Sequence, residues 1–383
     1  MRMIFLDNAA GTWPKPPEVG RAMAEALECY GANPGRGSYE MTCRTAEMVD
    51  RVRQRLAALI NAPDHRRVVF TAGATMSLNM ALYGFLQAGD HVIYSGMEHN
   101  AVFRPLHALA CGGRISLSRA PADQAGYLCP ESVARLIKPH TALIVLCHAS
   151  NVCGSVQPLA EIAGLAKSRG IPLLVDAAQS VGLLPLDVAA LDIALLALPG
   201  HKALYGPSGI GALYVREGLR LTPLISGGTG GQSERKTQPS HYPEHLEAGS
   251  LNTVGIAGWG AALDFVEKIG VDHLYRYSMG LLDPLAEKLR ALPGVILYLP
   301  EQPRPRVPVL AFNLRGYTAA ETAAFLSQSG ICLRSGYHCA PLAHRSLDSF
   351  EEGSVRVSPG WYNTKAHLDA LADAVEALVS RRV

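Results

Sequence analysis

Lys202 follows an apolar run, Asp192 to Leu198, that reads as a buried strand. It precedes a Gly-rich turn and a second strand, Gly211 to Val215, in LALPGHKALYGPSGIGALYV. An ammonium at a strand mouth, with His201 beside it, is suited to covalent work on a carbonyl rather than to a solvated helix face. Other apolar runs end in polar groups too. VVFT leads into Ala72-Gly73-Ala74-Thr75, a turn whose free N–H groups and hydroxyl can hold a phosphate. The next run ends at Glu98-His99-Asn100 and the third at His148 to Asn151. The fourth, LLVDAAQ, sets Asp176 at its end and Gln179 three residues on. Taken singly, each has a plain explanation: tight packing at the small-residue turn, a loop histidine, an N-cap at Asp176. Taken together, they supply a carboxylate, an amine, a flat ring, two amides and an anion site at one edge.

The elements that must bring them together alternate. RRVVFTAGATMSLNMALYGFL gives strand, Gly turn and helix. HVIYSGMEHNAVFRPLHALA repeats that order, as do TALIVLCHASNVCG with PLAEIAGLAKSRG, and then IPLLVDAAQSVG. Short β-branched runs bounded by Gly and followed by amphipathic segments predict an α/β fold, a mostly parallel sheet flanked by helices. Ligands of such sheets gather at the carboxyl ends of the strands. Beyond residue 265 the pattern changes to a helix (Val271 to Arg290), strands at Val295 to Leu299 and Val309 to Leu314 around a Pro-rich connection, the ICLRSGYHCAP stretch, a strand near Ser354 to Ser358 and a terminal helix. The expected organisation is an N-terminal segment (1–20) packing with the small domain, a large domain (21–264) and a smaller α+β domain (265–383). The polar stretch Gly227 to Gly249 is expected to be a functional or mobile loop, a docking or dimer element.

Composition narrows the function. The 383 residues are 48% hydrophobic and 18% charged, with formal net charge +2, so no strong field points to nucleic acid or an anionic membrane. Arg51, Arg53 and Arg55 read as a solvated helix face. The eight cysteines form no CxxC pair and no zinc or disulfide pattern. With no signal-like start and no spanning stretch, the expected location is cytoplasmic and reduced, with no metal.

The strand-end groups suit one ligand. An aspartate fits a protonated pyridine nitrogen, a lysine fits a carbonyl that forms an imine, and a histidine can cover a flat ring. Amides fit a ring hydroxyl, while Thr75 and His201 fit a phosphate. Pyridoxal 5'-phosphate carries all of these. At this point the chain resembles the class V aminotransferase family of fold-type I pyridoxal-phosphate enzymes, and within it the group of cysteine desulfurases and selenocysteine lyases. The resemblance rests on FLDNAAGTWPKP, TAGAT, EHNA, SNVCG, VDAAQ, PGHKALYGPSGIG, EAGSLNT, RSGYHCAP and VRVSPGWYNT. It implies that Lys202 holds the cofactor as an imine, His99 stacks on the ring and Asp176 pairs with its nitrogen. It implies further that Gln179 and Asn151 face the ring oxygen, and that Ala74, Thr75, His201 and Ser250 hold the phosphate. Ser250 is expected to come from the second subunit of a homodimer.

The same resemblance predicts conversion of L-cysteine to L-alanine, with Lys202 moving the Cα proton and Cys339 taking the sulfur as a persulfide, to be handed to a small acceptor protein, a selenium-handling enzyme or a free thiol. Arg356, Arg334 and Asn8 are expected at the substrate, and Arg334 and His338 are expected to support the Cys339 thiolate. The competing readings are a selenocysteine lyase, a class V aminotransferase or C–S lyase without persulfide chemistry, and a non-catalytic scaffold. Two departures stand out. Pro199 occupies the usual serine position, so one phosphate hydrogen bond is missing. Tyr337 stands where histidine is common. Cys147, Cys332, Trp259 and Trp361 are expected to be packing residues, and Cys153 is given no role.

Overall fold

The computed structural model describes residues 3–34 and 37–381. Its centre is a seven-stranded sheet running Val68–Thr71, Gly211–Val215, Leu195–Pro199, Leu173–Asp176, Thr141–Cys147, Asp90–Ser95 and Ile115–Ala120 from edge to edge. All pairings are parallel except those of Gly211–Val215, which runs antiparallel to both neighbours. The strands are apolar throughout because both faces are covered. Leu196 and Leu198 enter one core cluster, while Leu195 and Ala197, turned by the two-residue pleat, enter the other. Each such leucine contributes about 1.5–3 kcal/mol by leaving water. Helices Glu40–Leu59 and Thr253–Ile269 cover the first face, and Ala74–Phe85 and Asn100–Cys111 the second. The strand expected from Asp192 begins only at Leu195, since Asp192 sits in a turn with φ 50.

A second, four-stranded antiparallel sheet runs Arg334–Gly336, Ser354–Val357, Leu310–Leu314 and Val295–Leu297. Its core joins Phe312 and Val355 to Leu285 and Leu289 of helix Val271–Ala291 and to Leu371 of helix Lys365–Ser380. The N-terminal segment adds Ile4–Phe5 in parallel to Ile331–Cys332, bridges Asp7 to Ser358, and buries Leu6 in this same core. Helix Thr253–Ile269 runs continuously through residues 264 and 265. Residues 1–2 and 382–383 of the segments expected from sequence lie outside the described residues.

One expectation is overturned. Arg53 does not face solvent. It is 4% exposed, and its guanidinium meets both oxygens of buried Glu247, at 2.6 and 2.9 Å, and the Val68 carbonyl. Helix Glu40–Leu59 therefore has a basic residue on its buried face, placed there to receive a carboxylate from the 227–249 stretch. That stretch is turn-rich, and it is tethered by this pair and by His245, whose two ring nitrogens contact the Pro239 and Leu221 carbonyls. Among the described residues, no helix is long and apolar enough to cross a membrane, and no group of three or more His, Cys, Asp or Glu could hold a metal ion.

Candidate active site

The carboxyl ends of the large sheet's strands open into a cavity of about 630 Å³, within the range of small-molecule sites. Asp176 lies at its floor, 4% exposed, with Oδ1 accepting only the Ala178 N–H at 2.9 Å. Burial raises its pKa, against the pull of the Lys202 charge. Lys202, in the turn after Leu195–Pro199, is pushed down to about 8 by desolvation, partly offset by Asp176. His99 caps helix Asn100–Cys111, its Nδ1 accepting the Ala101 N–H at 3.0 Å. Burial, then the nearby Lys202 and Arg334 charges, hold it at about 4, so it presents a neutral ring with its proton on Nε2.

Two amides and an anion site complete this end. Asn151 donates through Nδ2 to the His338 carbonyl at 2.6 Å, and its buried Oδ1 has no partner. Gln179 donates through Nε2 to the Ala9 carbonyl at 2.9 Å and lines the same cavity. The Ala72–Thr75 turn reaches the cavity because Gly73 takes φ 142 and because the facing residue, Gly211, has no Cβ. A Cβ there would lie 2.6 Å from Gly73 Cα. Helix Ala74–Phe85 thus starts at the cavity wall with no side chain capping its N–H groups, beside Thr75 and His201. Pro199 lines the same wall and offers neither N–H nor hydroxyl.

These groups fit pyridoxal 5'-phosphate. The buried Asp176 carboxylate has one backbone donor and room for a ring N–H. Asn151 Oδ1 is a buried acceptor awaiting a hydroxyl. The uncapped helix start is an anion site. Leaving such groups unmet would cost about 1–3 kcal/mol each.

The opposite wall comes from the small sheet. Arg334 and Arg356 are cross-strand partners and so project from one face. Arg356, 2% exposed, donates to the Asn151 carbonyl at 3.0 Å and to Asp7 at 2.5 Å, while its Nε has no partner. Cys339 is exposed on a loop in which His338 and Cys339 both take positive φ, 49 and 59. Its carbonyl accepts the Asn100 N–H at 2.7 Å, tying the loop to the helix that His99 caps. Arg334 Nη2 lies 3.8 Å from its sulfur. An exposed thiol beside a cation is the setting of reactive cysteines.

His338 does not join Arg334 there. It is 3% exposed, its Nε2 faces the Ser354 carbonyl and hydroxyl, and burial lowers its pKa to about 2, so it carries no charge to offer the thiol. Tyr337 points away as well, donating to the Phe350 carbonyl at 2.8 Å. Asn8 does not line the cavity. Its Nδ2 serves the Ser358 carbonyl and Asn363, and its Oδ1 accepts from the Trp13 N–H. Ser250 also lies off this chain's cavity, exposed, beside Asn33. Cys147 is core, as expected from sequence, yet its side also forms cavity wall; Trp259 is fully buried and Trp361 packs on Tyr277.

Two residues escaped the sequence reading. Asp7, in FLDNAA, neutralises Arg356 across 349 positions of chain. Glu98 is fully buried, accepts from the Ser95 hydroxyl and the Cys147 N–H, and is pushed up to about 8 by burial. A carboxylate beside His99 was visible in sequence, but its inward direction was not.

The aminotransferase class-V family model matches residues 4–371. A probable cysteine desulfurase from Methanothermobacter thermautotrophicus is 34% identical over 98% of this chain and 94% of its own length. A cysteine desulfurase from Shigella sonnei is 36% identical over 98% and 93%. In structure, the apo cysteine desulfurase from Thermococcus onnurineus NA1 superposes with a TM-score of 0.92 at 30% identity, over 99% of this chain and 95% of that one. The Escherichia coli cysteine desulfurase CsdA, in an S-sulfonic acid form, gives 0.89 at 30% identity over 99% and 95%. The architecture is thus that of fold-type I pyridoxal-phosphate enzymes, and the chain belongs to the aminotransferase class-V family.

Proposed function

We propose that the chain is a pyridoxal 5'-phosphate-dependent cysteine desulfurase that converts L-cysteine to L-alanine and takes the sulfur onto Cys339. The observation that carries this reading is the exposed Cys339 thiol, with Arg334 at 3.8 Å, on the rim of the cavity that also holds Lys202 and Asp176. Bound pyridoxal 5'-phosphate would supply a carbonyl for the substrate amine and a conjugated ring that draws electrons from its Cα. Asp176 would meet the ring N–H, His99 would cover the ring, and Asn151 and Gln179 would hold its oxygen. Ala74, Thr75 and His201 would receive the phosphate, with Ser250 of a second copy completing that end of a homodimer.

Arg356, already fixed by Asp7, would bind the substrate carboxylate through the part of its guanidinium left free. With a pKa near 8, Lys202 carries a usable fraction of neutral amine at neutral pH and takes the Cα proton. The Cys339 sulfur attacks the substrate sulfur. An S–S bond forms, the Cβ–S bond breaks, and its electron pair stays with carbon, which is protonated. The balance is L-cysteine plus Cys339–SH giving L-alanine plus Cys339–S–SH, with no external oxidant. A thiol-bearing acceptor protein would then remove the outer sulfur.

The test is alanine released from L-cysteine by the cofactor-loaded protein beside Cys339→Ala. Alanine from the parent and its loss in the variant support the persulfide route. Pyruvate, ammonia and sulfide in place of alanine, from the parent and from Cys339→Ala alike, would point to a C–S lyase, and alanine only from L-selenocysteine to a selenocysteine lyase.

A further inference from the structure

The turn that carries Lys202 is gripped from outside the sheet by two residues of the N-terminal segment. Lys15 Nζ donates to the His201 carbonyl at 2.7 Å and to the Thr12 hydroxyl at 2.8 Å. Thr12 adds its N–H to the His201 carbonyl at 3.1 Å, and its Oγ lies 3.1 Å from the Lys202 carbonyl and 3.3 Å from that of His201. A hydroxyl has one proton, and an ammonium only donates. With Lys15 filling its acceptor side, the Thr12 hydroxyl must give its proton to a carbonyl, and the nearer is that of Lys202. The His201 carbonyl is meanwhile satisfied by Lys15 and the Thr12 N–H. Lys15 therefore sets the direction of the whole network.

The placement has a cost that packing alone does not explain. Lys15 has no carboxylate partner among the described residues, and burial lowers its pKa to about 8. An ammonium held against carbonyl dipoles without a counter-ion is disfavoured. A neutral side chain would dock the segment as well, since Ile4–Phe5 and Leu6 already anchor it to the small sheet.

We propose that Lys15, through Thr12, is a positioning residue that fixes the backbone of His201 and Lys202, so that the Lys202 amine is presented to the cofactor carbonyl. The inference rests on the pyridoxal-phosphate reading of the cavity. The clamp acts on the carbonyls on either side of the Lys202 Cα, the two points that aim its side chain.

The test uses full-length protein freed of cofactor and then mixed with pyridoxal 5'-phosphate. Borohydride quenching at timed intervals and peptide mass measurement count the adduct on Lys202. Lys15→Met is expected to slow adduct formation about tenfold, the loss of one charge-assisted hydrogen bond. Lys15→Arg, which keeps a donor cation, is expected to restore most of the rate. Ile4→Ala loosens the same segment away from the clamp and is expected to lower the melting temperature while leaving the rate within about twofold. A Lys15→Met rate equal to the parent's would overturn the proposal. So would an equal slowing by Ile4→Ala, which would reduce Lys15 to a structural anchor. No Lys202 adduct in the parent would instead sink the cofactor reading itself, and the inference with it.

Discussion

Replacing Glu247 by Gln should destabilise the protein far more than a typical surface change, through the pair that ties the loop before Ser250 to the large sheet. Glu247 Oε1 accepts from Arg53 and from the Phe70 N–H at 2.6 Å each, and Oε2 accepts from Arg53 at 2.9 Å. Both side chains are 5% exposed, so water cannot replace what is lost. Breaking a buried pair by removing one charge costs about 3–5 kcal/mol, because the remaining ion is left uncompensated. The amide of Gln keeps one oxygen for Phe70 and Arg53 Nη1, but it loses the charge and turns an NH2 donor onto Arg53 Nη2 where Oε2 accepted. Arg53→Met should cost a similar amount by stranding the carboxylate, although Glu247 keeps the Phe70 N–H. The double variant, with no buried charge left, should be less destabilised than the sum of the two by about 2 kcal/mol or more. Denaturant unfolding followed by circular dichroism measures all three, and hydrogen exchange at residues 240–252 reads the local opening. A Glu247→Gln cost under about 1 kcal/mol, or strict additivity in the double variant, would refute the argument that this pair is desolvated and mutually dependent.

Two further outcomes follow from the site. Burial holds His91, His99, His148, His201 and His344 at about 4 and His338 at about 2. An unfolded histidine titrates near ~6.5. The unfolded chain therefore binds more protons between about 6.5 and 4, and stability is lost as pH falls through that window. Glu98 and Asp176, raised by burial, oppose this but are two against six. The melting temperature should drop between pH 7 and pH 5, and a flat or rising profile would contradict the burial of these rings. Pro199→Ser should restore a hydroxyl at the cavity wall and slow loss of cofactor colour on dialysis by about tenfold; an unchanged rate would mean that Pro199 does not face the phosphate.

Strand positions, the parallel order and the strand-end groups were readable because burial on both faces forces continuous apolar runs, and because parallel strands deliver their C-terminal residues to one edge. Lys202, Asp176, Asn151, Gln179 and His99 follow from that local rule. The Cys339 loop was legible from its glycine and polar neighbours. What sequence could not give was direction and long-range pairing. Arg53 looked like one of three solvated arginines, and only the arrival of Glu247, 194 positions away, turns it inward. His338 looked able to charge Cys339, yet the fold aims its Nε2 at Ser354 and buries it. Asn8 spends its amide on Ser358 and Asn363, while Asp7 reaches Arg356. The sequence determined which groups stand at the ends of the strands, since that depends on local periodicity. The tertiary structure decided which of them keep a charge, a free lone pair or a view of the cavity, since those depend on partners and desolvation that no local stretch contains.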